Sequence, residues 1–237
     1  MDGTPMHVTT TDGRRIEFNV QGDGPGLLLP ECNARWNAWG YVDQLAERYR
    51  VVTASPRGYF GSDWEESADV YTLVSVRDDL LAAADAAGLE TFSVWGYSLA
   101  AAMAAFLAAA TSRVRALVAG GFPLIGSYQA LIDYAERQPE PANPPLDPAA
   151  ARAFYRAMAA SDTDRWMASL TRARFCYWGA EDPIMTLAMT IDEQRHSLEQ
   201  AGFVVQELPG LDHSACATRT DLAVPIIDRF LTQAATV

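Results

Sequence analysis

Thr91-Phe-Ser-Val-Trp-Gly-Tyr-Ser-Leu-Ala100 reads as a short β-prone run delivered into a serine, with Gly96 two residues before Ser98 and Ala100 two residues after it. Small residues at those two positions permit a very tight strand-to-helix turn. In such a turn the serine backbone is strained and its hydroxyl stands clear of the sheet. The amide of Leu99 then opens a helix whose positive end faces a developing negative charge. The run from Leu99 to Ala110 is almost unbroken Ala, Leu, Met and Phe, a helix without a polar face and therefore a buried one. Gly-x-Ser-x-Ala is a short pattern, and a serine at a helix start is often only an N-cap. Its partners decide the reading.

A nucleophilic serine needs a base, and the chain has three histidines. His7 sits in a first strand far upstream, and His196 falls in a polar amphipathic run, where a solvated helix face is its natural place. His213 lies in a loop, Leu208-Pro-Gly-Leu-Asp-His-Ser214, directly after the apolar run Phe203 to Leu208 and before a last helix. A histidine at the carboxyl end of a strand can reach a nucleophile at the carboxyl end of a neighbouring strand. The third member should be a carboxylate that fixes the imidazole tautomer. Arg174-Phe-Cys-Tyr-Trp-Gly-Ala-Glu-Asp-Pro183 supplies one in a tight loop after a hydrophobic strand. Asp182 is preferred over the adjacent Glu181 because it directly precedes the proline that restricts its backbone.

The chain order Ser98, Asp182, His213, together with these contexts, resembles the α/β-hydrolase fold superfamily over nearly the whole length. Arg57-Gly58 followed by Gly61-Ser62-Asp63 is similar to a segment many members carry after their fourth strand, with its second glycine displaced by one position. After Leu27-Leu-Leu29 the superfamily usually shows His-Gly, and here Pro30-Glu31 stands in its place. The resemblance implies an oxyanion hole made by the backbone amides of Leu99 and, by position, Cys32. A glutamate so close to that hole would oppose the developing charge unless it points away, pairs with Arg35 or Arg57, or meets a substrate group. No metal or organic cofactor is implied.

A chain of 237 residues, 49% of them apolar, suits one α/β domain spanning residues 1–237. The net charge of -12 argues against nucleic acid and anionic membrane surfaces as partners. No opening stretch reads as a targeting segment and no run reaches the length of a membrane span, so a cytoplasmic location is expected. The expected partner is a small-molecule substrate, and self-association stays open. The three cysteines, Cys32, Cys176 and Cys216, form no metal or redox spacing. Cys176 reads as a core residue, whereas Cys32 and Cys216 read as loop residues near the active-site rim.

Along the chain, strands at His7 to Thr10 and Arg15 to Val20 are joined by a turn, and strands then alternate with helices. The expected strands are Gly26 to Leu29, Val51 to Ser55, Phe92 to Trp95, Val114 to Ala119, Arg174 to Trp178 and Phe203 to Leu208. The expected helices are about Asn37 to Tyr49, Leu73 to Ala87, the elbow helix, Thr186 to Ala201 and Asp221 to Ala235. This alternation predicts a mostly parallel sheet with helices on both faces. Residues 122–170 break it around the proline-rich run Gln138 to Pro148, with short helices predicted over Tyr128 to Arg137, Pro148 to Met158 and Thr163 to Leu170. An insertion there resembles the superfamily's helical lid. Its Phe122, Leu124, Tyr128 and Trp166 are candidates to roof an apolar substrate, with Glu31, Trp36 and Tyr97 as further candidate contacts. The function implied is a serine hydrolase that cleaves a carboxylic ester, thioester or lactone through an acyl-enzyme. The alternatives are carbon-carbon bond hydrolysis, lyase or perhydrolase chemistry on the same fold, or a non-catalytic ligand-binding protein.

Overall fold

The computed structural model describes residues 5–32, 35–126, 128–137, 148–161, 167 and 170–235. Their organising element is an eight-stranded sheet of spatial order β1-β2-β4-β3-β5-β6-β7-β8. The strands are β1 (Met6–Thr9), β2 (Arg15–Gln21), β3 (Gly26–Pro30), β4 (Arg50–Ser55), β5 (Phe92–Tyr97), β6 (Val114–Gly120), β7 (Ala173–Gly179) and β8 (Val204–Leu208). β1 and β2 are antiparallel to their neighbours, and β4, β3, β5, β6, β7 and β8 run parallel. All the parallel carboxyl ends therefore lie along one edge, where loops can bring side chains together.

The helices are α1 (Tyr41–Ala46), α2 (Leu73–Ala86), α3 (Leu99–Ala110), α4 (Tyr128–Arg137), α5 (Pro148–Ala159), α6 (Ile191–Gln200), α7 (His213–Thr218) and α8 (Thr220–Ala234). They divide over two cores, one on each face of the sheet. Because successive strand side chains point to opposite faces, Leu28 and Val94 join one core with Leu80 of α2 and Met103 of α3. Leu27, Leu29, Trp95 and Tyr97 join the other with Val42 of α1, Cys216 of α7 and Ile227 of α8. α3 has nine buried residues, as its wholly apolar sequence requires. The predicted α/β class and mostly parallel sheet are observed.

Three predicted helices differ in detail. The stretch from Asn37 to Tyr49 is a short 3-10 turn, Trp36–Trp39, and then α1, because Gly40 turns the chain into the left-handed region (φ 77°) between them. The stretch from Thr186 to Ala201 is likewise divided. Asp182 caps a 3-10 turn over Pro183–Thr186, and a capping box of Thr190 and Glu193 starts α6 afresh. His213 does not sit in a loop: Asp212 caps the short helix α7, of which His213 is the first residue.

Within residues 122–170, α4 and α5 pack against each other, and α5 also rests on α2. Leu131, Phe154 and Met158 enter the core on that face. The proline-rich run and most of the predicted helix over Thr163 to Leu170, including Trp166, lie outside the described residues. No helix among the described residues is long and apolar enough to cross a membrane.

Candidate active site

β5 ends at Tyr97 and α3 begins at Leu99, so a single residue makes the turn. Ser98 takes φ 56° and ψ -131°, one of two non-glycine residues at positive φ among those described. The turn closes tightly enough that a Cβ on Gly96 would come within 2.0 Å of the Ala100 carbonyl oxygen, which explains the small residue there. The Ser98 amide donates to Gly120 O at 2.8 Å, tying the elbow to the end of β6. The hydroxyl is left half-buried at the edge where the parallel strands end.

Two further carboxyl ends complete the line. β7 leads into a turn in which the Ala180 amide donates to Leu208 O and the Glu181 amide to Leu211 O, fastening the loop after β7 to the loop after β8. Asp182 is buried in that turn, at 3% exposure, and Glu181 is exposed. One Asp182 oxygen accepts from the Ile184 amide at 2.9 Å. The other lies 2.8 Å from His213 Nδ1. His213 Nε2 lies 3.1 Å from Ser98 Oγ. With Nδ1 facing a carboxylate, the proton belongs on Nδ1 and Nε2 is the acceptor for the serine hydroxyl. The structure thus brings together Ser98, His213 and Asp182 and leaves Glu181 out. His7 and His196 are both exposed and remote from this line in sequence position and element.

The other candidate residues divide. Phe122, Leu124 and Tyr128 follow β6 in a segment that leaves the sheet beside the elbow, and all three are buried in the same core as Leu99. The Phe122 and Tyr128 rings are 5.9 Å apart, and the Tyr128 hydroxyl donates to Leu124 O at 3.1 Å. Trp36 and Tyr97 are placed otherwise than predicted. Trp36 is 2% exposed in the opposite core, its indole N–H on Pro30 O and its ring 4.6 Å from Trp95. Tyr97 points to that same face by strand alternation and lies behind His213. Cys32, Cys176 and Cys216 are all buried and none is in a disulfide, and Cys216 faces the core from within α7 and not a rim. Burial pushes the Cys216 thiol up to about 11. No cluster among the described residues has the makings of a metal site.

Glu31 is buried, at 2% exposure, and pairs with Arg35 as one of the anticipated options. Arg57, the other anticipated partner, is committed elsewhere. Its guanidinium holds the fully buried Asp79 and the half-exposed Asp12, and its amide also donates to Asp79. Burial works against the charge on Arg57, but these carboxylates hold its pKa above the ordinary value. Its hydrogen bond to Asp12, joined by one from Thr10, holds that carboxyl down at about 2. The Arg57-to-Asp63 segment therefore serves as a structural turn: the Ser62 hydroxyl accepts from the Glu17 amide and the Arg15 amide donates to Asp63.

The comparisons agree with this architecture. Residues 25–139 match the family model described as alpha/beta hydrolase fold. A curated protein of Bacillus subtilis (strain 168), AB hydrolase superfamily protein YfhM, is 33% identical over 89 residues, covering 34% of this chain and 30% of that protein. The match thus spans less than a third of that relative's length. Among solved structures, a thermophilic esterase from Thermogutta terrifontis superposes with a TM-score of 0.77 at 18% identity, covering 98% of this chain and 99% of that one. The enol-lactonase from Burkholderia xenovorans LB400 gives 0.74 at 19% identity, covering 96% and 100%. At such identities the likeness is one of fold, and the chain has the α/β-hydrolase fold.

Proposed function

We propose that this α/β-hydrolase-fold chain is a serine hydrolase cleaving a carboxylic ester, thioester or lactone of a small to medium apolar substrate through an acyl-enzyme. The observation that carries the reading is the continuous line from buried Asp182 through His213 to the hydroxyl of a positive-φ serine. His213 Nε2 takes the proton as Ser98 Oγ attacks the carbonyl, and the resulting imidazolium is stabilised by Asp182. Collapse of the tetrahedral intermediate expels the alcohol, thiol or enol with the proton from His213, leaving an ester on Ser98. Water then attacks the acyl carbon as His213 takes one of its protons, and collapse of the second intermediate breaks the bond to Ser98, His213 returning the proton to Ser98 Oγ as the acid leaves.

The amides of Leu99, at the N-terminus of α3, and Cys32, after β3, are proposed to hold the oxyanion. The parallel register pairs Leu28 with Val94. Four residues further along each strand direction stand Cys32 and Ser98, so both reach the same edge of the sheet. Apolar neighbours suit an apolar acyl or alkyl group. Phe122, Leu124 and Tyr128 close the core beside the elbow, and residues 122–170 are proposed as a lid over it. Esterase and enol-lactonase neighbours of the same fold are consistent with acyl transfer to water.

A fluorophosphonate tests the reading directly. It should add one covalent mass to the protein, and Ser98→Ala should lose both the label and ester turnover by several orders of magnitude. Labelling that persists in Ser98→Ala would overturn the assignment.

A further inference from the structure

Where the superfamily pattern has His-Gly, this chain has Pro30-Glu31, and the glutamate is engaged on both of its oxygens. Oε1 accepts from the Trp36 amide at 3.1 Å. Oε2 accepts from the Ser55 hydroxyl at 3.4 Å and lies 3.5 Å from Arg35 Nη1. The same guanidinium nitrogen holds Glu17 Oε1 of β2 at 2.6 Å, and the Arg35 group lies over the Phe60 ring at 4.4 Å. The backbone of Glu31, just past β3, is still tied to β4, its amide donating to Ala54 O at 2.8 Å. Glu31 is thus fixed by its backbone, and its side chain reaches five residues ahead to catch the chain where the Trp36–Trp39 turn begins. Between these two anchors lies Cys32.

We propose that Glu31 is a positioning residue for the oxyanion site, its carboxylate tying the end of β3 to the Trp36 amide so that the adjoining Cys32 amide stays aimed at the substrate oxygen. The inference rests on Ser98 as nucleophile and Cys32 as second donor. An oxyanion donor works only if it is already in place when charge develops, since reorientation during the reaction would return the gain. A carboxylate beside such a site would oppose the charge if it faced it. Here Trp36 N–H, Ser55 O–H and Arg35 turn its lone pairs inward, toward β4 and the start of the 3-10 turn. Glu17 and Arg35 are the charged groups that face it, so the guanidinium is shared by two carboxylates.

The test uses Glu31→Ala, Glu31→Asp and Glu31→Gln in the full chain, each assayed with the best chromogenic ester and with active sites counted by a fluorophosphonate. A trifluoromethyl ketone, whose tetrahedral hemiketal with the Ser98 hydroxyl carries an oxyanion, reports the hole itself. Glu31→Ala should lower kcat per titrated site by about 10²-fold and weaken the ketone in proportion, with KM within about threefold, as for partial loss of an oxyanion donor. Glu31→Asp, too short to reach the Trp36 amide, should behave like the alanine variant if that one fails to fold. Glu31→Gln keeps an acceptor for Trp36 N–H and should recover most of the rate. Variants that lose only thermal stability or active fraction, with kcat per site and ketone affinity unchanged, would overturn the inference. A wild-type protein that takes no label fails the underlying reading instead, and is recognised before any variant is compared.

Discussion

Tyr97 and His213 are joined twice. Their ring centroids are 5.2 Å apart at 43°, and the Tyr97 hydroxyl donates to the backbone carbonyl of His213 at 2.8 Å. Tyr97 immediately precedes Ser98, so the strand that presents the hydroxyl also holds the first residue of α7, which presents the imidazole. The phenol is buried, and desolvation first, with the neighbouring Cys216 and Tyr177, drives its pKa far up, so it remains a donor.

Tyr97→Phe keeps the ring and removes that donor. A neutral hydrogen bond is worth about 1 kcal/mol, and the orphaned carbonyl adds to the loss. The expected result is a fall in kcat of roughly fivefold, with KM nearly unchanged and a lower melting temperature. Steady-state kinetics beside thermal unfolding check it, and an unaltered kcat would show that the base is positioned without this bond.

The two acids in the β7 turn should behave differently. Asp182→Asn should preserve the fold and reduce kcat by roughly 10³ to 10⁴, because His213 would lose control of its tautomer and the partner of its charged form. Glu181→Gln, at an exposed position, should cost little. Equal losses in the two variants would place the orienting carboxylate elsewhere.

Glu31 makes the fold sensitive to pH. Burial, helped by Glu17 and opposed by Arg35 and the Trp36 and Ser55 donors, pushes its carboxyl from 4.5 up to about 7. Below pH 4.5 the group is protonated in both folded and unfolded chains. Between 4.5 and 7 only the unfolded chain ionises, so stability falls as pH rises; above 7 both are ionised and the loss is constant. The span corresponds to about 3 kcal/mol. Glu31→Gln should abolish this part of the slope, so that urea midpoints of variant and wild type diverge from pH 5 to pH 8 in the variant's favour. A constant difference across that range would refute the titration.

The Arg57 network should be unequal in its two arms. Asp79 has no exposure and Asp12 is half-exposed. Asp79→Ala leaves a buried guanidinium without its principal partner and should cost about 3–5 kcal/mol, whereas Asp12→Ala should cost under about 1 kcal/mol. Denaturant unfolding of the two variants measures both.

What the sequence made legible was local. Ser98 and its glycine and alanine neighbours, Asp182 before its proline, and the wholly apolar α3 are each encoded within about ten residues, and the alternation of strands and helices along the chain follows from hydrophobic period. Trp36 packs on Trp95, and in the sequence an aromatic after a strand looks the same whether it roofs a pocket or does this. Tyr97 follows Trp95 onto the α8 face by strand alternation, while its place next to Ser98 in the sequence suggests a substrate contact. The Glu31, Arg35 and Glu17 cluster joins β2, β3 and a loop, and no spacing along the chain foretells it. His213 reads as a loop residue because α7 is only six residues long and its start depends on the Asp212 cap.

The backbone of Ser98 sets robustness against chemistry. Its φ of 56° with ψ -131° is a conformation that glycine occupies freely and a serine holds at a cost of about 1–3 kcal/mol. Laboratory evolution that rewarded heat resistance alone would therefore enrich Ser98→Gly, relaxing the elbow while discarding the one hydroxyl on which turnover is proposed to depend. A selection for a hardier version of this protein has to demand catalysis in the same round, because at this position the two traits pull in opposite directions.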